Sequence, residues 1–130
     1  MTIGRRRLLL IDDDPVIRNA ISSALRDSYL VSVAHDGVDG LTKALTWKPD
    51  IVVCDNEMPG WNGIETIEKF QQNPALRGIP IVMMSADSKR GVAQAAHEAG
   101  ARGYVRKDAF DKDDFCARLD AIMNGHLAVH

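Results

Sequence analysis

The chain has 130 residues, 45% of them hydrophobic, with a formal net charge of −2 and a pI of about 6.0. That length and apolar share fit a single domain, residues 1–130, with a core over about 7–124. The balance of charge argues against a nucleic-acid-binding module, which carries a basic patch or stripe. No apolar stretch is long enough to span a bilayer.

Arg5-Arg6-Arg7 leads into the apolar run Leu8–Ile11, which ends at Asp12-Asp13-Asp14. The basic run reads as a solvated strand entry. The apolar run is too short for a signal-peptide core, so nothing here points to export. Pro15 suits a helix start, where its missing N–H costs nothing. Val16, Ile17, Ala20, Ile21, Ala24 and Leu25 then form one helical stripe. A second strand is expected over Tyr29–Ala34 and a second helix over Gly37–Trp47, with Val38, Leu41, Ala44 and Leu45 on one face. Pro49 precedes the nearly continuous hydrophobe of Ile51–Cys54, the mark of a parallel strand covered on both faces. Ile64, Ile67 and Phe70 mark a third helix. Ile79–Met84 is a fourth apolar run, an alanine-rich helix runs near Lys89–Ala99, and Gly100 can end it. Gly103–Val105 is the fifth run. Phe115, Leu119 and Ile122 mark the last helix, with Asp111 as N-cap and Asp114 in its first turn.

Five strand–helix units in alternation imply an α/β, doubly wound, five-stranded parallel sheet with five helices. The polar residues of interest follow strands: Asp12, Asp13 and Asp14 the first, Asp55 the third, Ser85 the fourth, Lys107 the fifth. Ligands of open α/β sheets bind outside the carboxyl ends of the strands. Carboxylates gathered there repel one another unless a cation or proton intervenes. Mg²⁺ resolves that conflict with one or two carboxylates, waters and a phosphate. A carboxylate is also a nucleophile toward phosphorus, and a lysine ammonium and a hydroxyl can stabilise the equatorial oxygens of a transferring phosphoryl group.

Four segments in order resemble the receiver domain of response regulators. They are Leu8–Pro15, Pro49–Gly60 with Gly63 beyond it, Pro80–Ala86 and Gly100–Lys107. The resemblance covers essentially the whole chain and implies the flavodoxin-like strand order 2-1-3-4-5, which sets Asp12 and Asp13 opposite Asp55. It further implies Asp55 as phosphoacceptor, Asp13 as direct metal ligand, Asp12 as a ligand through water, and Glu57 as a ligand through its backbone carbonyl. Ser85 and Lys107 would bind phosphoryl oxygens, and Ser85 and Tyr104 would act as the switch pair. Glu57 and Asp87 hold positions that tune hydrolysis in the family. Asp108 stands where the family often has proline. A cis bond costs about 2.5–4 kcal/mol before a non-proline residue, so Lys107–Asp108 is expected to be trans, with Asp108 accepting local backbone hydrogen bonds.

Each residue also has a plainer reading. Asp14 suits a helix cap, Ser85 alone a turn, Lys107 alone the surface, and Tyr104 or Met83 and Met84 the core. Trp61 either borders the site or lies exposed on its loop. His35, His97, His126 and His130 do not cluster in sequence and read as surface or boundary residues. Cys54 and Cys116 lack metal-ligand spacing and read as reduced, partly buried packing residues of a cytosolic protein.

The resemblance implies a Mg²⁺-dependent cytoplasmic signalling switch, not an enzyme beyond its own phosphorylation and dephosphorylation. A histidine kinase or phosphotransfer protein would be the donor. A face near the fourth helix, fifth strand and fifth helix would bind an unidentified protein target, with no direct nucleic-acid or membrane contact. The state would be monomeric or dimeric on phosphorylation. After the fifth helix only Asn124–His130 remain, which reads as a stand-alone or excised receiver. The competing reading is a haloacid-dehalogenase-like phosphohydrolase with Asp55 as nucleophile, although Asp55-Asn56-Glu57 lacks that class's Asp-x-Asp pattern. A flavodoxin-like nucleotide-binding module is disfavoured, because no Gly-rich loop follows the first strand.

Overall fold

A computed structural model describes residues 4–86 and 90–125. The expected helix start at Lys89, and Asp87, His126 and His130, lie outside the described residues. The elements alternate throughout: β1 (Arg7–Ile11), α1 (Pro15–Leu25), β2 (Leu30–Ala34), α2 (Gly37–Trp47), β3 (Ile51–Asp55), α3 (Gly63–Gln72), β4 (Ile81–Ser85), α4 (Arg90–Ala99), β5 (Gly103–Arg106) and α5 (Lys112–Met123). A 3₁₀ turn, Lys107–Ala109, follows β5. The strands form one parallel sheet in the order β2-β1-β3-β4-β5.

Successive strand residues point to opposite faces, so each apolar run feeds two cores. Leu9 and Ile11 of β1 join Val52, Cys54, Ile81 and Met83 beneath Ile67 and Phe70 of α3. Leu8 and Leu10 join Ile51, Val53, Val82 and Met84 beneath Ile21 and Leu25 of α1 and Phe115 and Leu119 of α5. Every residue of β3 and β4 is buried, as expected for central strands with helices on both sides. Met83 and Met84 fill opposite faces.

Caps fix where the helices begin. Asp14 accepts from Val16 N and Ile17 N, with Pro15 behind it. Asp36 and Asp111 cap α2 and α5. Asn62 and Glu65 form a reciprocal capping box on α3. Gly100 ends α4 at φ +121°, a conformation that favours glycine.

Strand limits shift slightly from the sequence expectation. Tyr29 lies outside β2, with its hydroxyl donating to Asp120 Oδ1 at 2.7 Å. β4 begins at Ile81, because Ile79 N donates within the preceding turn, to Leu76 O, and Pro80 has no N–H to give. β3 runs one residue further, to Asp55.

Candidate functional site

The site begins with register. Ile11 of β1 pairs with Cys54 of β3, so Asp12 and Asp55 emerge side by side at the carboxyl edge. Across β3, Asp55 pairs with Met84, which places Ser85 at the end of the next strand. Asp12, Asp55 and Ser85 are 0%, 1% and 0% exposed. Ionised carboxylates are seldom so buried without a partner.

The partner is Lys107. Its Nζ lies 2.9 Å from Asp55 Oδ1 and 3.3 Å from Asp12 Oδ2. Asp12 Oδ1 accepts from Asp14 N at 2.9 Å, while Asp12 Oδ2, beyond its ion pair with Lys107, has no hydrogen-bond partner among the described residues. The Asp12 carbonyl accepts from Arg18 Nη1, and Asp55 Oδ1 also accepts from Glu57 N at 3.3 Å. Asp13 is more open than Asp12 or Asp55, and one oxygen each from these three lies within 4.8 Å of the others.

Burial pushes the Asp55 carboxyl up, to about 6. The Lys107 bond opposes this, and the charges of Asp12 and Glu57 add to it. Burial alone would lower the Lys107 ammonium; the Asp55 bond and the charges of Asp55 and Asp12 reverse that and leave it raised.

The loop after Asp55 folds back tightly. Gly63 N donates to Asn56 O at 3.0 Å. A Cβ on Gly63 would stand 2.7 Å from Asn56 Cα and 2.9 Å from the Asp55 carbonyl oxygen, so glycine is required for this approach. The Glu57 side chain reaches across to β4: its carboxylate accepts from Ser85 Oγ at 2.6 Å and from Ala86 N at 2.7 Å.

The structure thus gathers Asp12, Asp13, Asp55 and Lys107, with Glu57 and Ser85 hydrogen-bonded to each other alongside. Tyr104 sits elsewhere, half-buried on β5 opposite Met83, lining a cavity of about 340 Å³ with Val82, Leu119 and Ile122. Trp61 is not exposed. It is half-buried beside Gly37 at the start of α2, with Lys69 Nζ 5.6 Å from its ring centroid. His35 is exposed and pairs with Asp39 at 3.0 Å, and His97 is exposed on α4. Cys54 is fully buried, more so than expected, and Cys116 is half-buried; burial pushes both thiols up.

No peptide bond among the described residues is cis, so Lys107–Asp108 is trans as expected. The expected role of Asp108 is corrected. Its carboxylate takes two hydrogen bonds from the Arg106 guanidinium, at 2.6 and 3.1 Å, instead of capping local backbone N–H groups. A fork-on-carboxylate pair outcompetes a neutral amide for the same oxygens. The Glu57 side-chain contacts and the Asn62–Glu65 box went unforeseen. The second had a signal, an Asn followed three residues later by Glu; the first is long-range and had none.

The response regulator receiver domain family matches residues 8–120. The DNA-binding response regulator MtrA of Mycolicibacterium smegmatis is 33% identical over 93% of this chain and 52% of its own length. The nitrate/nitrite response regulator protein NarL of Escherichia coli K12 is 33% identical over 94% of this chain and 56% of its own. The chain therefore spans about half the length of these curated relatives. Among solved structures, a putative response regulator from Chloroflexus aurantiacus superposes with a TM-score of 0.88 at 29% identity, covering 93% of this chain and 99% of that one. The chemotaxis protein CheY4 of Vibrio cholerae gives 0.84 at 27%, covering 92% and 99%. Sheet order, buried acids and these likenesses agree: the chain belongs to the response regulator receiver family of two-component signalling.

Proposed function

We propose that the chain accepts a phosphoryl group on Asp55 in a Mg²⁺-dependent reaction. The observation that carries this is the buried pocket in which Lys107 bridges Asp55 and Asp12. The residues fit the metal: an all-oxygen donor set from Asp12, Asp13 and Asp55 whose oxygens lie within 4.8 Å of one another, with a buried Asp12 Oδ2 that, among the described residues, meets only the Lys107 ammonium. With the Glu57 backbone carbonyl these would hold a hard divalent cation. When bound, Mg²⁺ supplies charge neutralisation for the carboxylates and the incoming phosphoryl oxygens.

The chain's own residues do the rest. An Asp55 carboxylate oxygen attacks the phosphorus of a phosphohistidine or acyl phosphate. The new Asp55 O–P bond forms as the donor's P–N or P–O bond breaks, and the electron pair leaves with the imidazole or the carboxylate. The Lys107 ammonium moves from the carboxylate to a phosphoryl oxygen, and the Ser85 hydroxyl donates to another. A histidine kinase or phosphotransfer protein is the donor, the reaction is cytoplasmic, and residues 1–130 act as one domain with its core at about 7–124. Turning of Ser85 and Tyr104 then alters the face of α4, β5 and α5 for a protein target, or for a second copy. The family match favours this reading over the phosphohydrolase alternative.

Incubation with acetyl phosphate and Mg²⁺ should add one base-labile phosphoryl group by intact mass. Chelator or Asp55→Asn should abolish it. Full phosphorylation of the Asp55→Asn protein at another residue would overturn the assignment.

A further inference from the structure

We infer that the Glu57 carboxylate is a resident anion that holds the Ser85 and Ala86 donors until a phosphoryl group on Asp55 displaces it. The inference rests on the phosphoacceptor reading of Asp55.

The geometry points there directly. Glu57 follows Asp55 by two residues, and its own N–H donates to Asp55 Oδ1. The loop therefore bends over the acceptor and throws the Glu57 side chain toward β4. One carboxylate oxygen takes the Ser85 hydroxyl at 2.6 Å and the other takes the Ala86 N–H at 2.7 Å. Both distances are in the short range of charge-assisted bonds. A hydroxyl and a main-chain N–H on consecutive residues at a strand end converge as an oxyanion's donors do. Ser85 is fully buried and one residue beyond Met84, the sheet partner of Asp55. These donors thus border the space a group on Asp55 enters, and in this structure an anion of the chain already holds them.

Two anions cannot hold the same two donors at once, and their charges repel one another. A phosphoryl group reaching Ser85 therefore expels the Glu57 carboxylate and takes over its donors. Three consequences follow. The resting state is stabilised against phosphorylation by bonds that have to break. Shortening Glu57 favours the phosphorylated state. Expulsion also frees the Glu57 side chain from the end of β4, while the Asn56 N–H bond to Met84 O at 2.9 Å still ties the loop backbone to the strand.

The test titrates beryllofluoride, a tetrahedral phosphoryl analogue, into wild type, Glu57→Ala, Glu57→Gln and Asp55→Asn. Each is held at Mg²⁺ saturation, established separately by Mg²⁺ titration, and the Ala86 amide resonance is followed. Glu57→Ala should bind about tenfold more tightly than wild type, and Glu57→Gln, which keeps one acceptor, by an intermediate factor. The Ala86 resonance should move on beryllofluoride binding in wild type and should already be displaced in free Glu57→Ala. At about 1 M salt, where the Debye length is about 3 Å, the difference should persist. Equal or weaker binding by Glu57→Ala would overturn the inference, as would a difference that vanishes at high salt, since that marks through-space charge alone. Failure of wild type to bind, or unimpaired binding by Asp55→Asn, would instead sink the phosphoacceptor reading.

Discussion

The Lys107 ammonium stands 2.9 Å from Asp55 Oδ1, so the end of β5 neutralises the end of β3 across the width of β4. Lys107→Ala removes that cation from a pocket holding two buried carboxylates. Stability in chelator at pH 8 should fall by about 3 kcal/mol, the scale for stranding one side of a buried pair. Added Mg²⁺ should restore part of it by binding only the folded state. Denaturant melts with and without Mg²⁺ check both points. Phosphorylation by acetyl phosphate should slow by more than about tenfold even at saturating Mg²⁺.

Asp55 gives the chain a pH dependence of definite sign. Its folded-state value is raised to about 6 from an ordinary 3.8. A raised acid contributes its full stability below the unfolded value and loses it as pH rises through the folded one. Without metal, Asp55→Asn should match wild type near about pH 4 and exceed it by up to about 3 kcal/mol by about pH 8. Melting curves in chelator across that range test this; a constant difference would count against it.

Gly63 should be intolerant for steric reasons. An added methyl meets main-chain atoms of Asp55 and Asn56, which cannot rotate aside. Gly63→Ala should cost about 1–3 kcal/mol and slow phosphorylation, because relief of the clash moves Asp55 itself. Urea melts and phosphorylation rates report the two effects separately.

The Arg106–Asp108 pair should matter little. Both side chains are about half exposed, and exposed ion pairs contribute about 0–1 kcal/mol. Asp108→Ala should change stability by less than about 1 kcal/mol and leave the phosphorylation rate as in wild type. A large loss would show that the turn Lys107–Ala109 depends on this pair to aim Lys107.

Much of this was legible in the sequence, because the strands are short and nearly pure hydrophobe. Leu8–Ile11 and Ile51–Cys54 announce central strands, and acids at their ends announce a shared edge. The strand order and the role of each acid came from likeness to a family, since periodicity cannot say which strands are neighbours. Cross-strand side-chain contacts were not legible. Glu57 reaching Ser85 spans 28 residues, and Tyr29 reaching Asp120 spans 91. Asp108 was misjudged because a guanidinium two residues back was left out of the competition for its oxygens.

The alternation of β1 between two cores has a consequence for insertions and deletions. One extra residue between Leu8 and Ile11 would exchange the faces of the residues beyond it. It would also carry Asp12 about 3.3 Å further along the strand, out of step with the Ile11–Cys54 rung that sets it beside Asp55. Packing and phosphoryl chemistry are thus phased to the same residue count. A frame slip in this strand would be penalised twice, once as lost stability and once as a broken site, so its length is far less free to vary than that of a surface loop.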